Sequence, residues 1–181
     1  MEHKITLITG GARSGKSSYA LQLGAPFLKK AYVATAQALD GEMHERIEKH
    51  RQERGDAFVT FEAPLELSQT LDSVSAKFDF VLVDCLTLWI SNLLLAEQGA
   101  ASVEASVENF LKALTARRSR VVLVSNEVGM GIVPDNPLAR KFRDYQGNLN
   151  QRVAEKADEV ILMVSGLPVF VKREEPSYAA V

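Results

Sequence analysis

The sequence contains a single cysteine, six prolines and one tryptophan, and neither sign of charge is in marked excess. One cysteine excludes an intrachain disulfide framework and a cysteine-rich zinc site. The 21 basic and 23 acidic residues give a formal net charge of −2, so the chain lacks the basic excess of a dedicated nucleic-acid-binding protein. Local groups must therefore bind any anionic ligand, because the net charge does not attract one.

The chain also lacks a long apolar run. Its most apolar region, residues 80–96, is interrupted by Asp84 and Asn92 and falls short of the roughly 20 residues that span a bilayer. A glycine turn begins at Gly10, and the segment before it is too short to contain the apolar stretch of a signal peptide. We therefore expect a cytoplasmic protein without a membrane span, and the lone Cys85 fits a reducing compartment.

Short apolar segments alternate with helical patterns along the 181 residues. The segments typical of strands are residues 4–9, 31–35, 58–62, 80–84, 120–125, 159–164 and 168–172. Helices are predicted over residues 16–23, 41–54, 64–76, 86–97, 103–117 and 138–157, the last capped by Asp135 or Asn136 with Pro137 in its first turn. This alternation predicts a single α/β domain over residues 1–181, a mostly parallel sheet with helices on both faces, and a loose tail over 173–181.

A phosphate-binding motif follows the first predicted strand. The run GGARSGKS, residues 10–17, matches G-x-x-x-x-G-K-[ST], and a helical pattern follows it. Glycines let the backbone wrap around phosphates, and the exposed N–H groups at the helix N-terminus bind anions. Lys16 then reaches the β- and γ-phosphates, and the Ser17 hydroxyl ligates Mg²⁺. The flanking strand and helix disfavour a chance glycine turn, and the G-x-G-x-x-G spacing of a dinucleotide site is absent.

Asp84 ends the apolar strand predicted over residues 80–84. A carboxylate at a strand end is often a turn residue or a helix cap. In a chain with a phosphate loop, however, this is the position from which an acid holds Mg²⁺ directly or through water. We therefore favour the metal role for Asp84. The adjacent Cys85 is expected to be a buried small residue, and Trp89 with residues 93–95 to form core or a subunit contact.

Residues 41–54 form a highly charged segment. At helical spacing Arg46, His50 and Arg54 share one face. A histidine between arginines lies where anions collect, so His50 either binds phosphate or, as the neutral imidazole, attacks phosphorus and carries a nucleotidyl group. From the residues alone, a solvated helix with scattered charges is the favoured alternative.

The loop over residues 126–134, NEVGMGIVP, follows a predicted strand. Loops at the carboxyl ends of parallel strands line the ligand crevice of open sheets, but the same segment is equally compatible with an ordinary connection. Three arginines of the following helix, Arg140, Arg143 and Arg152, lie off its apolar stripe, where a solvated or structural role is favoured over contact with a substrate phosphate.

Four stretches together carry a family resemblance: ITGGARSGKSSYA, YVATAQALDGEMHERIEKHRQER, LVDCLTLWISNLL and the segment that runs from LVSNEVGMGIVP to EVILMVSG. They resemble the bifunctional adenosylcobinamide kinase / adenosylcobinamide-phosphate guanylyltransferase family of cobalamin biosynthesis, over about residues 5–172. The resemblance implies a RecA-like P-loop fold and homo-oligomers, typically trimers. It also implies two reactions: phosphorylation of adenosylcobinamide by ATP or GTP, then transfer of GMP from GTP to the product.

The resemblance further implies that His50 becomes guanylylated, with Lys16 as the second catalytic residue and Mg²⁺ held by Ser17 and Asp84. The residues implied to bind the nucleotide are Gly10, Gly11, Ala12, Arg13, Ser14, Gly15, Lys16, Ser17, Ala34, Thr35, Ala36, Arg51, Gln52, Glu53, Arg54, Glu62 and Asp84. Two rival interpretations remain: a simple P-loop kinase that leaves His50 idle, and a nucleotide-binding switch with negligible turnover.

Overall fold

The computed structural model of the chain describes residues 3–38, 41, 45, 47, 48, 51, 52, 55–96 and 100–173. Within these residues one seven-stranded sheet has the order β3-β2-β4-β5-β1-β6-β7. The strands are β1 (Ile5–Gly10), β2 (Lys30–Ala34), β3 (Val59–Glu62), β4 (Phe80–Asp84), β5 (Arg120–Val124), β6 (Glu159–Val164) and β7 (Leu167–Lys172). All pairings are parallel except that of β7 with β6, which confirms the predicted mostly parallel sheet.

The described helices are α1 (Lys16–Leu23), α2 (Leu67–Ser75), α3 (Leu86–Leu95), α4 (Ala100–Ala116) and α5 (Pro137–Lys156), with a 3₁₀ turn at Gly55–Ala57. In the charged segment predicted to be helical, the described residues 41, 45, 47, 48, 51 and 52 are helical. No described helix is long and apolar enough to cross a membrane. Of the predicted tail, only Arg173 belongs to the described residues.

The sheet buries apolar side chains on both faces. Alternate strand residues separate into two clusters: Leu7 and Val83 face α2 to α5, whereas Ile8 and Leu82 face α1. This alternation confirms helices on both faces and explains why the central strands are almost uniformly apolar. Parallel strands covered in this way end together at one edge of the sheet, and the loops that follow them are brought close to one another.

Two helix starts predicted from the sequence need correction. The helix predicted from residue 64 begins at Leu67, because the carbonyls of Pro64 and Leu65 accept hydrogen bonds from the side chains of Asn92 and Trp89 instead of starting a helix. α4 begins at residue 100, three residues before the predicted start. Trp89, Leu93 and Cys85 are buried as expected, and Leu95 of the same apolar run is 57% exposed, which is compatible with the subunit contact that the sequence left open for this run.

Candidate active site

The phosphate loop, residues 10–17, is shaped by two glycines. Gly10 has φ 146° and Gly15 has φ 93°, backbone conformations that side-chain-bearing residues rarely adopt. A Cβ on Gly10 would lie 2.6 Å from the carbonyl oxygen of Met163, and one on Gly15 would lie 3.2 Å from the Cα of Gly166. A Cβ on Gly11, by contrast, would meet nothing within 4 Å. The two glycines that the motif specifies are therefore those that the packing requires.

The loop ends on an open helix N-terminus. Gly15 is the N-cap of α1, no side chain among the described residues caps the helix, and its first turn contains no acidic residue. The first N–H groups of a helix have no partners within the helix, and the helix dipole adds a partial positive charge at that end. Gly166 lies in the turn between β6 and β7, and its N–H supports the loop by donating to the carbonyl of Ser14 at 3.0 Å. The arrangement is that of a preformed anion site.

Lys16, the first residue of α1, is 7% exposed. Its Nζ donates to the carbonyl oxygen of Gly11 at 2.6 Å and to Ser14 Oγ at 3.4 Å. The ammonium therefore lies inside the loop that is predicted to hold phosphates. Ser17 follows it, half-buried, in the same helical turn.

Asp84 is half-buried at the end of β4, at the same sheet edge as the phosphate loop. The hydroxyl of Tyr32, on β2, donates to Asp84 Oδ2 at 3.0 Å and orients the carboxylate. Burial, with a smaller contribution from the Asp84 charge, raises the pKa of the neighbouring Cys85 thiol from 9.0 to about 11. Cys85 therefore stays protonated at neutral pH and acts as a small packing residue, as predicted.

The segment after β2 is tied to β4 by a buried threonine. Thr35 Oγ1 donates to the carbonyl oxygen of Cys85 at 2.7 Å and accepts from Cys85 N–H at 2.9 Å. Asn92 Nδ2 donates to the Thr35 carbonyl at 2.8 Å. Because its side chain is occupied in this way, Thr35 holds the neighbouring Ala34 and Ala36, both half-buried, in place at the sheet edge.

The remaining predicted nucleotide contacts are more exposed. Glu62 is exposed at the end of the edge strand β3. Arg51 and Gln52 are exposed, and Arg51 makes an ion pair of 3.7 Å with Glu48. His50, Glu53 and Arg54 lie outside the described residues. Residues 10–17, 34–36, 62 and 84 therefore lie at the carboxyl ends of the strands, with Glu62 four strands away from β1, and Arg51 and Gln52 are exposed.

The loop after β5, residues 125–136 and hereafter the β5–α5 loop, adjoins the phosphate loop. Asn126 N–H donates to Thr87 Oγ1 at 2.7 Å, and Glu127 N–H donates to the carbonyl of Gly10 at 3.0 Å. Beneath it a buried network joins three side chains: Gln146 Nε2 and Ser125 Oγ both donate to Asn150 Oδ1, at 2.9 and 2.7 Å. The sequence left open whether this loop meets a ligand, and the structure places its base against the phosphate loop.

Two of the three arginines on α5 have structural contacts. Arg140 Nη1 donates to the carbonyls of Pro134 and Asp135 at 2.9 and 2.6 Å and holds the end of the β5–α5 loop. Arg152 pairs with Glu104 and Glu108 of α4. The structural role favoured for these two residues is confirmed.

The supporting residues Tyr32, Thr87, Asn92 and Gln146 were not identified from the sequence. One signal was present: Asn92 interrupts the otherwise apolar run of α3, and a polar side chain on an apolar helix face usually has a buried hydrogen-bond partner. Tyr32 and Thr87 give no such signal, because tyrosine and threonine are ordinary residues in a strand and in a helical turn.

Comparison with known proteins identifies the family. The family model described as cobinamide kinase / cobinamide phosphate guanyltransferase matches residues 6–171. The chain belongs to this family. It is 46% identical over 169 residues to the bifunctional adenosylcobalamin biosynthesis protein CobP of Pseudomonas aeruginosa, covering 93% of this chain and 97% of that relative. It is 43% identical over 178 residues to CobU of Salmonella typhimurium, which bears the same description, covering 92% and 98%. The resemblance carried by the motifs is thereby confirmed, and the family's two described activities are both transferase reactions.

Solved structures show the same fold. The KaiC-like protein PH0186 of Pyrococcus horikoshii aligns over 98% of this chain and 82% of its own, with a TM-score of 0.52 and 13% identity. The RadB recombinase aligns over 88% and 74%, with a TM-score of 0.53 and 21% identity. At these identities the similarity shows the fold alone, and it agrees with the α/β fold that the sequence predicts.

Proposed function

We propose that the protein phosphorylates the hydroxyl of adenosylcobinamide with ATP or GTP and then transfers GMP from a second GTP to the new phosphate, through a guanylylated His50. The match to the family over residues 6–171 carries this proposal. The open N-terminus of α1 beneath Gly10–Ser17 supports it, because both reactions begin with the binding of a nucleoside triphosphate.

In the second reaction the neutral imidazole of His50 attacks the α-phosphorus of GTP. The bond between the α-phosphorus and its bridging oxygen breaks, and pyrophosphate leaves. An oxygen of adenosylcobinamide phosphate then bonds to the phosphorus of the guanylyl group. The phosphorus–nitrogen bond breaks, which gives adenosylcobinamide-GDP and restores the imidazole. Lys16 offsets charge on the phosphates, and such charge neutralisation and positioning do most of the work in phosphoryl transfer.

The residues present fit a Mg²⁺ ion. Magnesium bound with nucleotides usually takes one or two protein ligands and completes its shell with phosphate oxygens and water. Ser17 and Asp84 supply one hydroxyl and one carboxylate at the same sheet edge, and the described residues contain no larger cluster of His, Cys, Asp or Glu that would make a closed protein site. The ion would neutralise phosphate charge there.

The nucleotide site in this proposal extends along the strand ends from β1 towards β3. Ala34, Thr35 and Ala36, Glu62 and Asp84 lie along this edge, and Arg51, Gln52, Glu53 and Arg54 follow His50 in the chain. Hydrogen bonds at the carboxyl ends of β2 and β4 support a shared site. Thr35 ties the segment after β2 to the residue after β4, and Tyr32 orients Asp84.

A homo-oligomer, a trimer by resemblance, is part of the proposal. β7 is an edge strand of the described sheet, and Leu167, Phe170 and Val171 on it are 69%, 42% and 65% exposed. An apolar edge strand of this kind offers a surface to a second chain. Light scattering on the purified protein measures the assembly directly.

The deciding experiment is incubation with α-labelled GTP and Mg²⁺ in the absence of corrinoid. We expect acid-labile, alkali-stable label on the denatured protein, lost in His50→Ala and kept in His44→Ala, a histidine control from the same charged segment. Absence of label in protein that binds GTP would contradict the covalent route and favour a simple kinase. GTP binding without corrinoid-dependent turnover would instead indicate a binding module.

A further inference from the structure

The two proposed reactions differ in what they demand of a base. In the guanylyl transfer both nucleophiles, a neutral imidazole and a phosphate, attack with a lone pair that needs no deprotonation. In the kinase reaction the nucleophile is an alcohol, which must lose its proton as it attacks the γ-phosphorus. Proton transfer to a positioned side chain typically contributes about 10²- to 10⁴-fold to such a step. The kinase reaction thus calls for a carboxylate or histidine that the transfer does not use.

Acidic side chains near the ends of the described strands identify the candidates. Glu62 ends β3, four strands from β1 in the sheet order, or roughly 19 Å at the usual strand spacing. Asp84 ends β4, accepts from Tyr32 and is the proposed Mg²⁺ ligand. Glu127 follows β5, the strand that pairs with β1 on one side and with β4 on the other. It therefore lies between the phosphate loop and the strand that carries Asp84.

The main chain around Glu127 is fixed from three directions. Its own N–H donates to the carbonyl of Gly10 at 3.0 Å, which links it to the phosphate loop. Asn126 N–H donates to Thr87 at 2.7 Å, and the Asn126 carbonyl accepts from Asn150 Nδ2 at 3.3 Å. A side chain on a backbone anchored in this way is well placed for a defined geometric role.

The carboxylate of Glu127 is itself oriented. Oε1 accepts from Gly129 N–H at 2.7 Å, and the side chain is half-buried. Within the part of the chain that the structure describes, Oε2 has no hydrogen bond or ion pair. One oxygen thus anchors the group while the other stays available to a ligand, on a residue whose own N–H is bonded to Gly10 of the phosphate loop.

We infer that Glu127 is the general base of the kinase reaction, an inference that rests on the kinase half of the proposed function. Its carboxylate accepts the proton of the adenosylcobinamide hydroxyl while that oxygen bonds to the γ-phosphorus of ATP or GTP. The bond from the γ-phosphorus to its bridging oxygen breaks, and the nucleoside diphosphate leaves. Glu127 then releases the proton to solvent.

Glu127→Gln tests this assignment, because glutamine keeps the size of the side chain and an oxygen that can accept from Gly129 N–H. We expect phosphorylation of adenosylcobinamide to fall at least about 100-fold. GMP labelling of the protein without corrinoid, and GMP transfer to supplied adenosylcobinamide phosphate, should stay within about twofold of the parent chain. Glu155→Gln, an exposed position on α5, is the matched control and should leave all three rates unchanged.

Two results would overturn the inference. Kinase activity that survives in Glu127→Gln would show that the carboxylate takes no part in proton transfer. An equal fall in all three rates would show that Glu127 supports the shape of the phosphate loop instead. Failure of the covalent scheme is a separate outcome. In that case the parent chain would carry no protein-bound GMP, but its kinase rate could still be compared with that of Glu127→Gln.

Discussion

Two loops leave neighbouring parallel strands at the same sheet edge, and each leads into a helix. The phosphate loop ends on Gly15, and no side chain caps α1. The β5–α5 loop ends on Asn136, whose side chain accepts from the N–H groups of Leu138 and Ala139 at 2.8 and 3.2 Å. The first helix therefore keeps its N-terminus open for an anion, whereas the second has a cap within the chain.

The same loops differ in how tightly they are packed. An added Cβ would collide with backbone at Gly10, but it would meet nothing within 4 Å at Gly131. Near Gly131, Met130 and Ile132 are 80% and 95% exposed. The phosphate loop is thus shaped by backbone contacts before any ligand arrives, while the β5–α5 loop is fixed at its base and exposes an apolar tip. The proposed phosphate site therefore depends mainly on backbone groups, whereas the β5–α5 loop presents side chains at its exposed tip.

The largest expected effect is a difference in thiol reactivity between Cys85, which follows β4, and the tip of the β5–α5 loop. The buried Cys85, with a pKa of about 11, should be alkylated by iodoacetamide at pH 8 at least about 100-fold more slowly than a cysteine introduced by Ile132→Cys. A raised pKa means that the thiolate, which is the reactive form, appears only at higher pH. Mass spectrometry of protein free of nucleotide and metal measures both rates. Comparable rates would show that the region around Cys85, at the carboxyl end of β4, opens readily to solvent.

The second test adds one methyl group to each of two adjacent glycines. Gly10→Ala should lower the free energy of unfolding by about 1–3 kcal/mol, because its Cβ would lie 2.6 Å from the Met163 carbonyl oxygen at a φ of 146°. Gly11→Ala is the control and should change it by less than about 0.5 kcal/mol. Urea denaturation followed by circular dichroism gives both values. Equal effects would mean that the loop adapts to added side chains.

The smallest expected effect concerns the anchor of the second loop. Arg140→Ala removes two hydrogen bonds to the carbonyls of Pro134 and Asp135, so unfolding should become easier by about 0.5–1 kcal/mol, with faster proteolysis within the β5–α5 loop. Arg143→Ala on the same helix is the control, since Arg143 makes no hydrogen bond or ion pair with the described residues. Limited proteolysis and urea titration measure the two effects. Identical behaviour of the variants would show that the loop is held by other contacts.

Much of the fold is predictable from this sequence, because the signals are local. Apolar strands bounded by polar residues predict β4 at its observed bounds and β1 to within one residue. Asp135 or Asn136, followed by Pro137, predicts the start of α5 to within one residue, and the structure shows Asn136 as the cap. The start of α2 is not predictable in this way, since it depends on Trp89 and Asn92, distant in sequence, taking up the carbonyls that would begin the helix.

In the candidate site too, the residues of a local motif are predictable from the sequence and those joined by long-range contacts are not. Gly10, Gly15, Lys16 and Asp84 follow from a motif whose spacing is short and whose chemistry is specific. The Thr35–Cys85 pair joins residues 50 positions apart, and Glu127 meets Gly10 only because β5 inserts between β1 and β4. Contacts of this kind depend on strand order, which the sequence pattern leaves open.

The ammonium group of Lys16 lies inside the phosphate loop. With its Nζ 2.6 Å from the Gly11 carbonyl oxygen, the ammonium lies against the backbone that is proposed to bind phosphate. In the proposed complex a phosphate oxygen would replace the carbonyl as a partner of a charge that is already largely buried. Much of the cost of withdrawing the lysine from water is met when the chain folds, so this cost would not have to be met again when a nucleotide binds.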